Sequence, residues 1–95
     1  MSVMVRIPTP LRRLTDGQDK VSVEGNNLSD IITSLEAEFP GLKARICDEQ
    51  GELRNFVNVY VNGEDVRFMD GLTTLTNAGD EISIVPAVAG GQQSN

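Results

Sequence analysis

Residues 56–63 read Phe56-Val57-Asn58-Val59-Tyr60-Val61-Asn62-Gly63. Side chains on a strand alternate between two faces. Val57, Val59 and Val61 therefore share one face, and Phe56, Asn58 and Tyr60 share the other. β-branched and aromatic residues suit a pleated surface. Asn62-Gly63 follows at once, and Asn and Gly are the residues that accept the positive φ angles of a two-residue type I′ hairpin. The stretch predicts a strand entering a tight turn, with a short return strand over Val66 to Phe68.

Downstream, Asp70-Gly71-Leu72 starts a connection in which Leu72 and Leu75 are the expected core anchors. Ala78-Gly79-Asp80 signals a turn. Glu81 to Val85 then alternates again, with Ile82 and Ile84 inward and Ser83 and Val85 outward.

Upstream, Val3, Val5 and Ile7 alternate with Met4 and Arg6, and Pro8 and Pro10 end that run. Val21 and Val23 repeat the pattern over Lys20 to Glu24. Asp16-Gly17 marks a turn in the long loop between them, so the two runs form an antiparallel hairpin. Asn27 is a good helix cap, and Asp30 places a carboxylate at the positive helix end. Leu28, Ile31, Ile32, Leu35 and Phe39 then fall at helical spacing, with Glu36 and Glu38 toward solvent. Pro40-Gly41 stops the helix. Leu42 to Ile46 predicts a further short helical turn, and Asp48 to Glu52 a loop.

The element order is strand, strand, helix, strand, short strand, strand. The helix covers one face of a mixed sheet whose first and last strands lie parallel at its centre. This predicts an α+β fold of the β-grasp (ubiquitin-like) type, with about five strands and one main helix on one face. Residues 1–87 form the body, and residues 88–95 a flexible C-terminal tail.

With 95 residues the chain holds one small domain. Its net charge of −6 argues against binding nucleic acid, whose phosphates need Lys and Arg contacts, and against an anionic membrane surface. One cysteine and no histidine leave neither a disulfide framework nor a Cys/His metal site within the chain. The N-terminus lacks the charged and apolar regions of a signal peptide, and no apolar run approaches the ~20 residues that cross a bilayer. A reducing, cytoplasmic setting is expected.

The last strand ends at Val85-Pro86 and continues as Ala87-Val88-Ala89-Gly90-Gly91. Glycine has no Cβ, so Ala89, Gly90 and Gly91 form a thin lead that can thread a channel closed to larger side chains. A carboxylate at Gly91 could be activated by another enzyme and carry a group.

Taken together, the residues 56–68, the Gly79-Asp80-Glu81 turn and Val85-Pro86-Ala87-Val88-Ala89-Gly90-Gly91 resemble the ThiS/MoaD family of ubiquitin-like sulfur carriers over nearly the whole body. Within it the likeness is to the cysteine-forming branch. The resemblance implies that the chain is not itself an enzyme and bears no catalytic residue. Gly91 would be adenylated by a ubiquitin-activating-like adenylyltransferase/sulfurtransferase that uses ATP, and then converted to a thiocarboxylate. A PLP-dependent cysteine synthase would receive the sulfur, and a JAMM-type zinc metalloprotease would free the product. Those cofactors belong to the partners. Gln92 to Asn95 follow Gly91. Cleavage between Gly91 and Gln92 is therefore expected before the chemistry can start.

Met4, Arg6, Phe56, Tyr60, Arg67, Val85, Ala87 and Val88 are the expected partner surface, as outward residues opposite the helix or on the tail. Scattered exposed hydrophobes, or cover by the loop at Leu53, is the plainer reading. Cys47 has no histidine to activate it and reads as passive and partly buried. Other destinations for the tail are sulfur transfer toward thiamine thiazole or molybdopterin, conjugation to protein lysines as a modifier, or no reaction at all.

Overall fold

The computed structural model describes residues 2–86. The body is a five-stranded sheet carrying a main helix on one face. Strand β1 (Ser2–Arg6) pairs antiparallel with β2 (Lys20–Glu24), matching Val3 with Val23 and Val5 with Val21. Helix α1 (Leu28–Glu38) and the short α2 (Leu42–Ile46) follow. Strand β3 (Val57–Val61) turns into β4 (Glu64–Asp65), and β5 (Glu81–Pro86) ends the body. The strand order is β2-β1-β5-β3-β4, with β1 and β5 parallel at the centre. This is the β-grasp arrangement.

Period-two burial builds the core. Val3, Val5, Val21, Val23, Val57, Val59, Ile82 and Ile84 point to one side of the sheet, and Leu28, Ile31, Ile32 and Leu35 of α1 meet them. Burying a side chain of this size contributes roughly 1.5–3 kcal/mol. Asn27 caps α1, accepting the Asp30 N–H at 2.8 Å. Ser34 donates to the Glu24 carbonyl at 2.8 Å and pins the helix to the end of β2.

Three expectations are corrected. The return strand is Glu64–Asp65, whereas Val66–Phe68 is a 3-10 turn. Asn62 and Gly63, at φ 52° and 89°, make a two-residue loop, so Val61 pairs with Glu64 at once. The Asp65 carboxylate then accepts the Arg67 N–H at 2.8 Å and curls the chain away. Leu75 is not a core anchor and stays 72% exposed, while Leu72 packs partly buried. The segment there is extended and bridges Asn27 through Leu75, which puts Thr74 and Thr76 inward. Their hydroxyls are satisfied: Thr74 Oγ1 accepts from the Asp70 N–H, and Thr76 Oγ1 donates to the Gly25 carbonyl, each at 3.2 Å. Glu36 is not simply solvated. Its carboxylate accepts the Gly41 and Lys43 N–H groups at 3.1 and 2.9 Å and so caps α2.

The loop expected after Pro8 contains a 3-10 helix, Thr9–Thr15, that buries Leu11 and Thr15. Pro8 also explains where the central ladder stops. Met4 N–H donates to the Asp80 carbonyl at 3.0 Å, and the last parallel pair is Arg6 with Ser83. The next bond in that series would run from residue 8 to Ile84. Pro8 has no N–H to give.

Candidate functional site

β5 carries the chain to Pro86, and the tail residues lie beyond it. Ala87, Val88, Ala89, Gly90, Gly91 and Gln92, and the boundary between body and tail, lie outside the described residues. The described part of the site is the root of the tail. Val57 stands opposite Pro86, Asn58 opposite Val85 and Tyr60 opposite Ser83. In this antiparallel ladder the N–H and C=O groups of Glu81, Ser83 and Val85 face β3, and those of Ile82, Ile84 and Pro86 face β1. Pro86 thus sits where its missing N–H costs no bond to β3. That is the condition on which a sheet tolerates proline.

The outward side chains come together as the alternation requires. Arg6, Ser83 and Tyr60 form one cross-strand row, and Val85 and Asn58 form the next. Met4, Phe56 and Val85 are partly exposed, at 38%, 50% and 44%. The face is mixed rather than apolar. Arg6 is engaged inside it, since its Nε donates to Glu81 Oε2 at 2.6 Å. Both side chains are about half exposed, so the pair is worth at most ~1 kcal/mol. Arg67 is a strut. One Nη donates to Asn58 Oδ1 and the other to the Arg54 carbonyl, each at 2.6 Å. Arg54 lies 5.9 Å from the centre of the Phe56 ring and donates through Nε to the Ala44 carbonyl at 2.9 Å. The segment beside the tail root is therefore fixed to β3 and to α2.

On the other side of β5, an open groove of about 330 Å³ runs between the end of the strand and the Pro8–Arg12 segment. A wider polar groove of about 910 Å³ lies at the opposite end of the sheet, between Glu24, Asp30 and Thr76. Two exposed apolar residues went unrecognised in the sequence, Phe68 at 89% and Leu75 at 72%. Phe68 ends the 3-10 turn that the Asp65 carboxylate starts, and Leu75 sits at the bridge to Asn27.

Cys47 is 2% exposed, and burial pushes its thiol up from its ordinary pKa, against the opposing pull of Lys43 and Arg54. Among the described residues, no group of His, Cys, Asp and Glu could hold a metal ion, and no helix is long and apolar enough to cross a membrane.

A model of the ThiS family matches residues 5–91. The chain belongs to the ThiS family. The match ends at Gly91, so the four positions after it stand outside the match. The chain is 50% identical over 93 residues to the sulfur carrier protein CysO of Mycobacterium tuberculosis, covering 96% of this chain and all of that one. It is 45% identical over 64 residues to small archaeal modifier protein 3 of Haloferax volcanii, covering 67% and 68% of the two chains. Among solved structures, the Amycolatopsis orientalis BexX/CysO complex contains a chain that superposes with a TM-score of 0.88 at 46% identity, covering 93% of this chain and 98% of that one. The matched chain of that complex shares the β-grasp body described above.

Proposed function

We propose that the chain is a protein-borne sulfur donor, a co-substrate of partner enzymes and not a catalyst. The observation that carries this reading is the Gly90-Gly91 pair on a lead from β5, at the point where the family match ends. Likeness to a sulfur carrier over nearly the full chain supports it.

The chemistry follows from the tail. Proteolysis between Gly91 and Gln92 frees the Gly91 carboxylate. Carboxylate oxygen is a poor leaving group, so the carboxylate attacks the α-phosphorus of ATP on an adenylyltransferase of the ubiquitin-activating kind. The products are an acyl-adenylate and pyrophosphate. Sulfur at the sulfide level then attacks the acyl carbon; the C–O bond to AMP breaks and a C–S bond forms. The resulting thiocarboxylate is a tethered nucleophile. Ala89 and Gly90 let it reach a buried acceptor. We place it in the cytoplasm, donating toward cysteine, with PLP on the synthase and zinc on a JAMM-type protease that releases the product. The outer residues Met4, Arg6, Phe56, Tyr60, Arg67, Val85, Ala87 and Val88 are proposed as the surface those enzymes grip. Transfer toward thiamine thiazole or molybdopterin uses the same tail chemistry.

A second reading is a ubiquitin-like modifier, favoured by the likeness to small archaeal modifier protein 3. There an acceptor lysine attacks activated Gly91 and forms an isopeptide.

Intact mass of the chain isolated from its host tests the proposal. A species ending at Gly91, with one oxygen replaced by sulfur in part of the population, is the expected result. Conjugates of higher mass lost on deleting Gly91 favour the modifier. A chain that keeps residues 92–95 under sulfur demand overturns both.

A further inference from the structure

The edge of β5 at the tail root is open on one side and has an unusual composition. The ladder with β1 stops at Arg6 and Ser83. Beyond it the groups of Ile84 and Pro86 face the gap, as the alternation of the strand dictates. Two prolines line that gap. Pro8 gives Ile84 no donor, and Pro86 brings none of its own. The Ile84 N–H belongs to the last ladder pair, on the Arg6 carbonyl, so among the described residues the edge offers two carbonyl acceptors and no free N–H. A groove of about 330 Å³ lies along it, lined also by Arg6, Arg12 and Asp19. Arg6 is held by Glu81, and Asp19 takes the Ile7 N–H on its carbonyl at 2.8 Å. Arg12 uses Nε on the Ile7 carbonyl at 3.1 Å. Among the described residues its Nη groups make no hydrogen bond.

We infer that this groove seats an extended backbone segment of the enzyme that activates the tail. The segment runs beside β5, donates N–H groups to the Ile84 and Pro86 carbonyls, and meets Arg12 with a carboxylate. The inference rests on the carrier reading and names how the partner holds the same tail. An open strand edge is the usual template for such addition. Here the edge lacks donors, so a second copy presenting the same edge finds nothing to bond with, which fits a carrier that must stay unpaired between partners. Position points to the activating enzyme as the occupant. Pro86 leads directly into the residues that have to enter that enzyme, so a segment beside Ile84 and Pro86 lies along the path of insertion. Fixing the root there removes freedom from the tail before Gly91 reaches the nucleotide.

The experiment uses the chain trimmed to Gly91 with the ATP-dependent adenylating enzyme of its host, read by pyrophosphate release. Arg12→Glu is expected to raise KM for the chain roughly tenfold with kcat within about twofold, as loss of a charged contact does. Arg13→Glu, the same charge change on the exposed neighbouring residue outside the groove, leaves KM unchanged. Pro8→Ala returns an N–H to the open side of β5. It is expected to raise KM severalfold while the unfolding midpoint holds or rises, a combination that damage to the fold does not produce. Equal KM for Arg12→Glu and Arg13→Glu, or an unchanged KM for Pro8→Ala, overturns the docking. So does light scattering that shows a dimer lost in Pro8→Ala. If the trimmed wild-type chain is not adenylated at all, the carrier reading fails, and the docking with it.

Discussion

Asn62 donates through Nδ2 to Asp80 Oδ1 at 3.1 Å, tying the β3–β4 turn to the turn that starts β5. The same amide accepts the Glu81 N–H at 3.0 Å on its Oδ1. Asn62 also holds φ at 52°, in the left-handed region that few side chains accept. It therefore has two separable roles. Asn62→Gly keeps the backbone angle and loses both hydrogen bonds, and is expected to cost about 1 kcal/mol. Asn62→Ala loses the bonds and adds backbone strain, for about 2 kcal/mol in all. Urea unfolding of the two variants separates these roles. Equal losses would mean the angle carries no strain.

The exposed Leu75 between buried Thr74 and Thr76 gives an inverted pattern of sensitivity. Leu75→Ser is expected to change stability by no more than about 0.5 kcal/mol. Thr74→Val keeps the volume but removes the acceptor of the Asp70 N–H, and is expected to cost roughly 1–3 kcal/mol. A hydrophobicity argument gives the opposite ranking. Thermal unfolding of the pair decides between them.

That inversion shows where reading the sequence stops. Val57 to Val61 could be read because each residue's face follows from its neighbour's, and Asn62-Gly63 because its turn angles are a local property. The outward placement of Met4, Tyr60 and Val85 follows from the same period. Thr74 and Leu75 were hidden because the segment is oriented by its bridge to Asn27, far away in sequence. The return strand was set two residues late because loop length fixes register, and apolar Val66 outweighed charged Glu64. Arg67 was expected on the partner surface, yet it spans to Asn58 and Arg54 through a turn that only the fold creates.

Glu36 links the two helices through its carboxylate. Backbone N–H groups of Lys43 and Gly41 hold its pKa below the usual carboxylate value. Its folded value is depressed, so its contribution is complete above the unfolded pKa of about 4.3 and is lost as pH falls through the folded value. Glu36→Gln is expected to lower stability at neutral pH and to flatten the loss below about pH 4. Denaturant titrations of the wild-type and variant chains from neutral to acid pH check this. Parallel curves would remove Glu36 from the acid response.

Cys47 bears on how the proposed chemistry is to be read out. Its thiol is buried, and burial raises its pKa, so both access and thiolate fraction are low near neutral pH. An electrophilic probe such as iodoacetamide is expected to leave native Cys47 unmodified at pH 7 over minutes and to label it fully in urea. A thiocarboxylate at Gly91 ionises far more readily than a thiol and sits on the thin lead. It should react at pH 6, where Cys47 does not. Cys47→Ala is therefore expected to leave probe uptake by the sulfur-loaded chain unchanged under native conditions, with a modest loss of stability of about 1 kcal/mol for the smaller side chain. Peptide mapping of the labelled chain provides the check. Label on the peptide containing Cys47 in the folded protein would show that the body opens around α2. Label confined to the C-terminal peptide, and absent when Gly91 is deleted, would place the reactive sulfur on the tail.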